Sequence, residues 1–439
     1  MTDRHPPPLD LAIEQSTEPV RRLPAFDRAV EQSAEPVRRL PALDRAVEQS
    51  AEPARRLPAL ELAGRQTAEP ARGAAGGRHL AALDVVRVLT VGLVIAVHTV
   101  SLQPGGIGWS NGAVLVVTHV SREVFFLLTA FVLTYAYRGQ PWPAFWRRRF
   151  LLVGVPYLVW SAIYVLAAGQ PRRLPVALLT GTASYHLYFL LVSMQLYLVF
   201  PLLRRLLRAT AGRHRAVFVA AVAYQLTAYA ILPHLIARPD ALLISDLGFV
   251  VVGGIAAVHA VPLLAWTGRH RGAVLLSAIA VTVCGLGWFV LQTVVLHRDP
   301  TTASAVFQPL IVIESVAVAW AFLALGLSRR GEAFRTGAFR VGAFRAGAFR
   351  AGAFRTRVFR AGADVSFGVY LAHPLLLQGL LVAGLGGLVA GLPQPLVTLL
   401  ALTVVVPAVY LICAVVVAAL RRTRLSLALT GHPLPGGSR

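Results

Sequence analysis

From residue 83 onward the chain falls into ten apolar runs, about 83–102, 113–137, 150–168, 185–203, 216–236, 242–260, 273–296, 303–327, 365–386 and 396–420. Each is long enough to cross the roughly 30 Å hydrocarbon core of a bilayer as a helix. Hydrocarbon offers no water to backbone N–H and C=O groups, so such runs must bond internally and become helices. The expected fold class is therefore all-α integral membrane, a bundle of about ten transmembrane helices. Composition agrees, with 56% hydrophobic residues, 14% charged residues and a mean hydropathy of +0.64, well away from ordinary soluble domains.

Charge orients the bundle. All 42 basic residues are arginine, and the net charge is +22. The first 78 residues hold about twelve arginines and twelve acids, so the excess belongs to the membrane body. Alternate connections, together with the C-terminal tail, carry about 24 arginines against about four on the other side. The positive-inside rule then places both termini in the cytoplasm of a multi-pass protein of the cell (plasma) membrane. The basic excess is explained by orientation against the lipid bilayer, and nucleic acid is not an expected partner. The opening MTDRHPPPLD has no apolar core, so no cleavable signal peptide is expected. Cys284 and Cys413 lie in apolar runs and read as buried packing residues; no metal site is expected.

Two segments repeat. Residues 14–72 recur with a period of 17, as in EQSTEPVRRLPAFDRAV, with two prolines per unit and nearly balanced charge. Such units cannot build a core, so 1–78 reads as a disordered cytoplasmic tail. The second repeat, GEAFR-TGAFR-VGAFR-AGAFR-AGAFR, has a period of five and lies within a basic cytoplasmic loop at 328–362. It is expected to be flexible and to lie near the anionic inner leaflet. Residues 79–425 form the membrane domain, and 426–439 a short tail.

The first run, LDVVRVLTVGLVIAVHTVSL, carries Arg87 and His98. Eleven residues at 100° each bring them within about 20° of one another, roughly 16 Å apart along the axis. Ionisable groups at this depth usually face a protein interior or polar cavity, so one shared chamber is expected between them. The His98 imidazole can take a proton from a hydroxyl near neutral pH, or itself accept a transferred group; a packing histidine between helices is the plain alternative. Glu314 stands alone in the eighth run, as a catalytic acid or an interhelical hydrogen bond. Tyr185, His186 and Tyr188 open the fourth run, where an interfacial aromatic belt is expected, with stacking on a sugar ring the other reading.

Arg87 and His98, followed by SREVFFLLTAF (121–131), WRRRF (146–150) and FGVYLAHPLLL (367–377), resemble acyltransferase family 3 of integral-membrane acyl transferases. The run 185–203 is similar to its envelope-sugar O-acetyltransferase branch, and the resemblance spans roughly 79–420. It implies an O-acyltransferase moving an acyl group, acetyl above all, from acyl-CoA (acetyl-CoA) to a hydroxyl of a sugar-containing envelope component or secondary metabolite. Acyl-CoA would be a co-substrate, with no bound cofactor. Glu123 falls where the family has an acid, to orient His98, to neutralise Arg87, or to form a structural pair with Arg122. Arg147 and Arg149 match its Arg-x-Arg and, with Arg87, would bind the donor's phosphates through guanidinium forks; a basic cluster also follows from orientation alone. His373 matches its LAHP segment, in the inner half of the ninth run, as a substrate-binding candidate beside His186 and Tyr188. Thr129-Ala130 departs from the family's Ser-Gly and leaves the close backbone approach there in question. The rival reading is a secondary transporter or carrier of a lipid-linked sugar.

Overall fold

Residues 81–327 and 344–433 are described by a computed structural model, and among them only helices and turns occur, with no strand. Nine helices are long and apolar enough to cross a membrane, or up to ten if one sharply bent pair counts as a span. The expected tail at 1–78 lies outside the described residues, apart from which the all-α membrane architecture holds.

The organising helix is α1 (Ala81–Ser101), followed by α2 (Trp109–Thr118) and α3 (Ser121–Ala136), which join at 119–120 into one long span. Next come α4 (Trp142–Ala167), α5 (Tyr188–Ala209), α6 (His214–Leu235), α7 (Leu247–Val258) and α8 (Ala260–Arg269). The bundle is completed by α9 (Arg271–Val290), α10 (Pro309–Gly326), α11 (Phe344–Val382) and α12, the span Gln394–Leu420. Helix α1 packs against α2, α3, α10, α11 and α12. The α2–α3 span is 61% buried, whereas α6, α9 and α12 are 22% buried and present their apolar faces outward, as lipid-facing helices do.

The closest helix pairing joins α3 to α7 and depends on Gly253. A Cβ there would lie 2.2 Å from the Leu127 carbonyl oxygen and 3.2 Å from the Ala130 Cβ. The close approach left in question by Ala130 is thus made from the opposite helix, whose glycine lets the two backbones meet.

Three sequence expectations change. The run 242–260 forms a short 3-10 turn and the twelve-residue α7. At its end the chain bends by 86° around His259 into α8, so it is long enough to span only if the bent pair counts as one. Pro262 supplies the reason, since it has no N–H for the Val258 carbonyl and its ring crowds that turn. The flexible reading of 328–362 does not hold from Phe344 onward, where the backbone is helical and continuous with the ninth span. Gly and Arg units with a Phe tolerate helix once a long apolar helix follows to propagate from. Finally, both cysteines are free, but only Cys413 is buried; Cys284 is exposed on the outer face of α9.

Candidate active site

Helix α1 presents Arg87, Val94 and His98 along one face, and two cavities open against it. One of about 310 Å³ is lined by His98, Ser101, His119, Ser121, Arg122, Tyr185 and Tyr188 among others. A second, also about 310 Å³, is lined by Arg87, Thr90, Arg149, Tyr197, Asp364 and His432 among others. The single chamber expected from the helical spacing is therefore two, with Val94 and Phe189 bordering both. Spacing fixes direction around one helix, whereas the dividing wall includes Phe189 from α5 and could not be read from α1.

Beside His98 stand two further imidazoles. His98 stacks on His373 with ring centres 5.4 Å apart and planes 22° apart, and Tyr185 tilts against His98 at 4.4 Å. His186 packs edge-on to His373 at 5.5 Å. The LAHP sequence explains how His373 is held. Pro374 lacks the N–H that would bond the Tyr370 carbonyl, and His373 Nδ1 donates to that carbonyl at 2.8 Å. That bond assigns the proton to Nδ1 and leaves Nε2 with a lone pair, buried and without a hydrogen-bond partner. His373 is level with His98, on whose ring it stacks. His186, expected in an interfacial belt, is fully buried, with Nδ1 3.1 Å from Ser184 Oγ. Tyr370 donates its hydroxyl proton to the His186 carbonyl, and Tyr164 donates to the Leu371 carbonyl at 2.8 Å, so both histidine segments are pinned. Tyr188 lines the His98 cavity.

The floor of that cavity is ionic. Arg122 Nη2 donates to Asp246 Oδ1 at 2.9 Å, and Arg122 Nε lies 3.9 Å from Glu123 Oε1. Tyr229 donates to Glu123 Oε1 at 2.5 Å, and the guanidinium lies over the Phe307 ring at 4.9 Å. Arg122, Glu123 and Asp246 are all buried. Glu123 thus turns to Tyr229 and Arg122, and makes no hydrogen bond to His98 or Arg87. Asp246 was missed in the sequence although it lies inside the run 242–260, near its start, where it immediately precedes α7. The signal available was the charge of Arg122, which at that depth requires a close counter-ion.

The donor-side candidates separate. Arg149 shares the second cavity with Arg87 and lies over Phe145 and Tyr197 at 5.6 and 5.8 Å, while Arg147 is exposed and lines neither cavity. His432, in the segment after the last span, joins Arg87 and Arg149 there. Burial holds its imidazole below the usual range, with Arg421 and Arg87 adding to the effect against Asp364. Glu314 is buried but borders neither cavity; it packs between α9 and α10, with Oε2 3.1 Å from where a Gly285 Cβ would be and the Thr282 hydroxyl beside it. The interhelical reading of Glu314 fits this placement, and the structure does not bring it to His98. Among the described residues, no three of His, Cys, Asp or Glu are placed to hold a metal ion.

A helical bundle that encloses an imidazole-lined cavity next to an arginine-lined one defines a multi-pass membrane protein with an internal polar site. A family model described as an acyltransferase domain, family 3, matches residues 80–418, and the chain belongs to that family of membrane acyltransferases. No curated protein and no solved structure matches the chain.

Proposed function

We propose that this protein is an O-acyltransferase that takes an acyl group, acetyl in the first instance, from cytoplasmic acyl-CoA to a hydroxyl of a sugar-containing envelope component or secondary metabolite. The observation that carries the reading is the placement of Arg87 and His98 on one face of α1, in two cavities that share Val94 and Phe189.

In this reading Arg87 and Arg149 meet the donor's phosphates, for which guanidinium forks are matched. The pantetheine arm follows α1 for about 16 Å, the rise from Arg87 to His98, and brings the thioester carbonyl to the imidazole. The acceptor lies in the His98 cavity, where Tyr185 and Tyr188 offer ring faces and Ser121 a hydroxyl. His98 takes the acceptor's hydroxyl proton as its oxygen bonds to the carbonyl carbon. The C–S bond then breaks, and the leaving thiolate takes up a proton to give free coenzyme A. His98 is equally suited to carry the acyl group itself before the acceptor attacks. His373, held by the Tyr370 carbonyl, orients the His98 ring. Cytoplasmic termini and a plasma-membrane location follow from the arginine distribution.

One observation favours the rival reading of a carrier: the break between α7 and α8, since discontinuous helices mark transporter sites. It is the one such bent pair among the described residues, with no counterpart in a second half. Membranes that carry the native acceptor and the protein, supplied with labelled acyl-CoA, separate the two. The enzyme releases free thiol that His98→Ala abolishes, whereas a carrier gives no thiol above background in either form.

A further inference from the structure

Past the last span, and past the family match at 80–418, the chain folds back on the bundle as a hook. It consists of a five-residue helix, α13 (Ser426–Thr430), followed by Gly431 and His432. Polar bonds hold it from within and from without. Ser426 Oγ donates to the His432 carbonyl and Thr430 Oγ1 to the Ser426 carbonyl, each at 2.7 Å, and both side chains are buried. From α4, Trp160 Nε1 donates to the Leu429 carbonyl at 3.1 Å. Gly431 makes the turn at φ 67°, its N–H donating to the Leu427 carbonyl at 3.0 Å as a left-handed cap does. The same glycine is wedged between α4 and α11, where a Cβ would lie 2.8 Å from the Leu152 carbonyl oxygen and 2.5 Å from the Phe367 ring.

This seat places the hook against the second cavity. Gly431 and His432 line it together with Arg87, Arg149 and Asp364. Arg421, at the base of the hook, donates from Nη1 to the Asp364 carbonyl at 2.9 Å, and with Arg87 it acts electrostatically on His432. A solvated tail would need neither buried hydroxyls nor a glycine against a neighbouring backbone. A neutral imidazole has one N–H to give a phosphate oxygen, and the charged form has two. We infer that the hook, α13 with Gly431 and His432, is a wall of the donor site that lies outside the shared family domain and holds His432 against the phosphates of acyl-CoA. This inference rests on the acyl-CoA reading above. Trp160, Ser426 and Gly431 act as positioning residues, and His432 is the group that meets the ligand.

The test uses membranes that carry the native acceptor, and reads kcat and the KM for each substrate from thiol release that depends on His98. Gly431→Val puts a branched side chain on a left-handed backbone and against the Leu152 carbonyl, so the hook leaves its seat. Its KM for acyl-CoA should rise about tenfold or more, as for the loss of a charge-assisted hydrogen bond, while the KM for the acceptor stays within about twofold. Trp160→Phe keeps a ring but loses the bond to Leu429, and a rise of about two- to tenfold is expected. A tail that only stabilises the bundle would lower the amount of active protein and leave both KM values alone. A second readout needs neither turnover nor a variant. Trypsin cuts after Arg421, Arg422 or Arg424 release the hook from the detergent-purified protein, and coenzyme A at ten times its Kd should slow that release about tenfold. Should neither variant fold, this readout decides alone. An unchanged acyl-CoA KM in both folded variants, or release at the same rate with and without coenzyme A, overturns the inference; thiol release by the intact protein then leaves the acyl-CoA reading standing. No His98-dependent thiol from the intact protein overturns both.

Discussion

The imidazole of His98 stacks on that of His373, ring centres 5.4 Å apart, while His373 Nδ1 is committed to the Tyr370 carbonyl at 2.8 Å. In the proposed reaction this arrangement gives His373 a positioning role. Replacing His98 by Ala is expected to lower thiol release from acyl-CoA by about 10²- to 10⁴-fold, the usual contribution of a general base. His373→Phe keeps a ring to stack on, so it should retain about tenfold more activity than His373→Ala, which frees His98 to turn away. Equal losses in the two His373 variants would mean that the nitrogen itself takes part.

Arg149 and Arg147 were equivalent in the sequence and are not equivalent in the fold. Arg149 faces the Arg87 cavity, and Arg147 is exposed. A charge-assisted hydrogen bond contributes about 1.5–3 kcal/mol. Arg149→Ala should therefore raise KM for acyl-CoA about 10- to 100-fold, while Arg147→Ala leaves it within about twofold. Steady-state kinetics in membranes that carry the acceptor, over a range of acyl-CoA concentrations, distinguishes them.

The Arg122–Asp246 pair is predicted to hold the floor of the His98 cavity. Removing one member of a buried pair strands the other charge, at a cost of about 3–5 kcal/mol. Asp246→Leu should thus lower the melting temperature in detergent sharply, and Arg122→Met combined with Asp246→Leu should recover most of the loss. If the double variant melts no higher than Asp246→Leu alone, the stranded-charge account fails.

Gly253→Ala tests the α3–α7 contact. The added methyl would sit 2.2 Å from the Leu127 carbonyl oxygen, a backbone atom that cannot rotate away. Helix separation must follow, at a cost of about 1–3 kcal/mol or more. The expected result is a lower melting temperature, together with reduced activity because α3 carries Arg122 and Glu123.

His432 gives a pH signature. Burial and the neighbouring arginines keep it below the usual value of 6.5 and hence neutral at pH 7. A polyanionic donor beside it would favour the charged form, so the bound state holds more protons than the free state. Linkage then requires acyl-CoA to bind more tightly as pH falls below about 6.5. His432→Gln should abolish that trend, measured as KM across pH 5.5 to 7.5.

Several features of this protein are set by residue order alone. Apolar runs of about twenty residues leave the backbone no choice but helix in hydrocarbon, whatever surrounds them. The periodicity of a helix likewise puts Arg87 and His98 on one face without reference to any neighbour. The LAHP sequence dictates a free carbonyl and a histidine next to it, both on the same turn.

What packing decided is everything that depends on a second helix. Glu123 turned from His98 to Tyr229, Glu314 settled between α9 and α10, and Asp246 came from 124 residues away to meet Arg122. His186, expected in a surface belt, lies in the core, where Tyr370 from a distant span bonds its carbonyl. The division of one expected chamber into two came from Phe189, a ring whose position is set by Phe125, Phe126, Tyr188 and Tyr370 together. Backbone hydrogen bonding is local and repeats along the chain, so the sequence specifies it directly. Counter-ions and aromatic walls are chosen among helices that touch only after the bundle has assembled, and no spacing within one run encodes that choice.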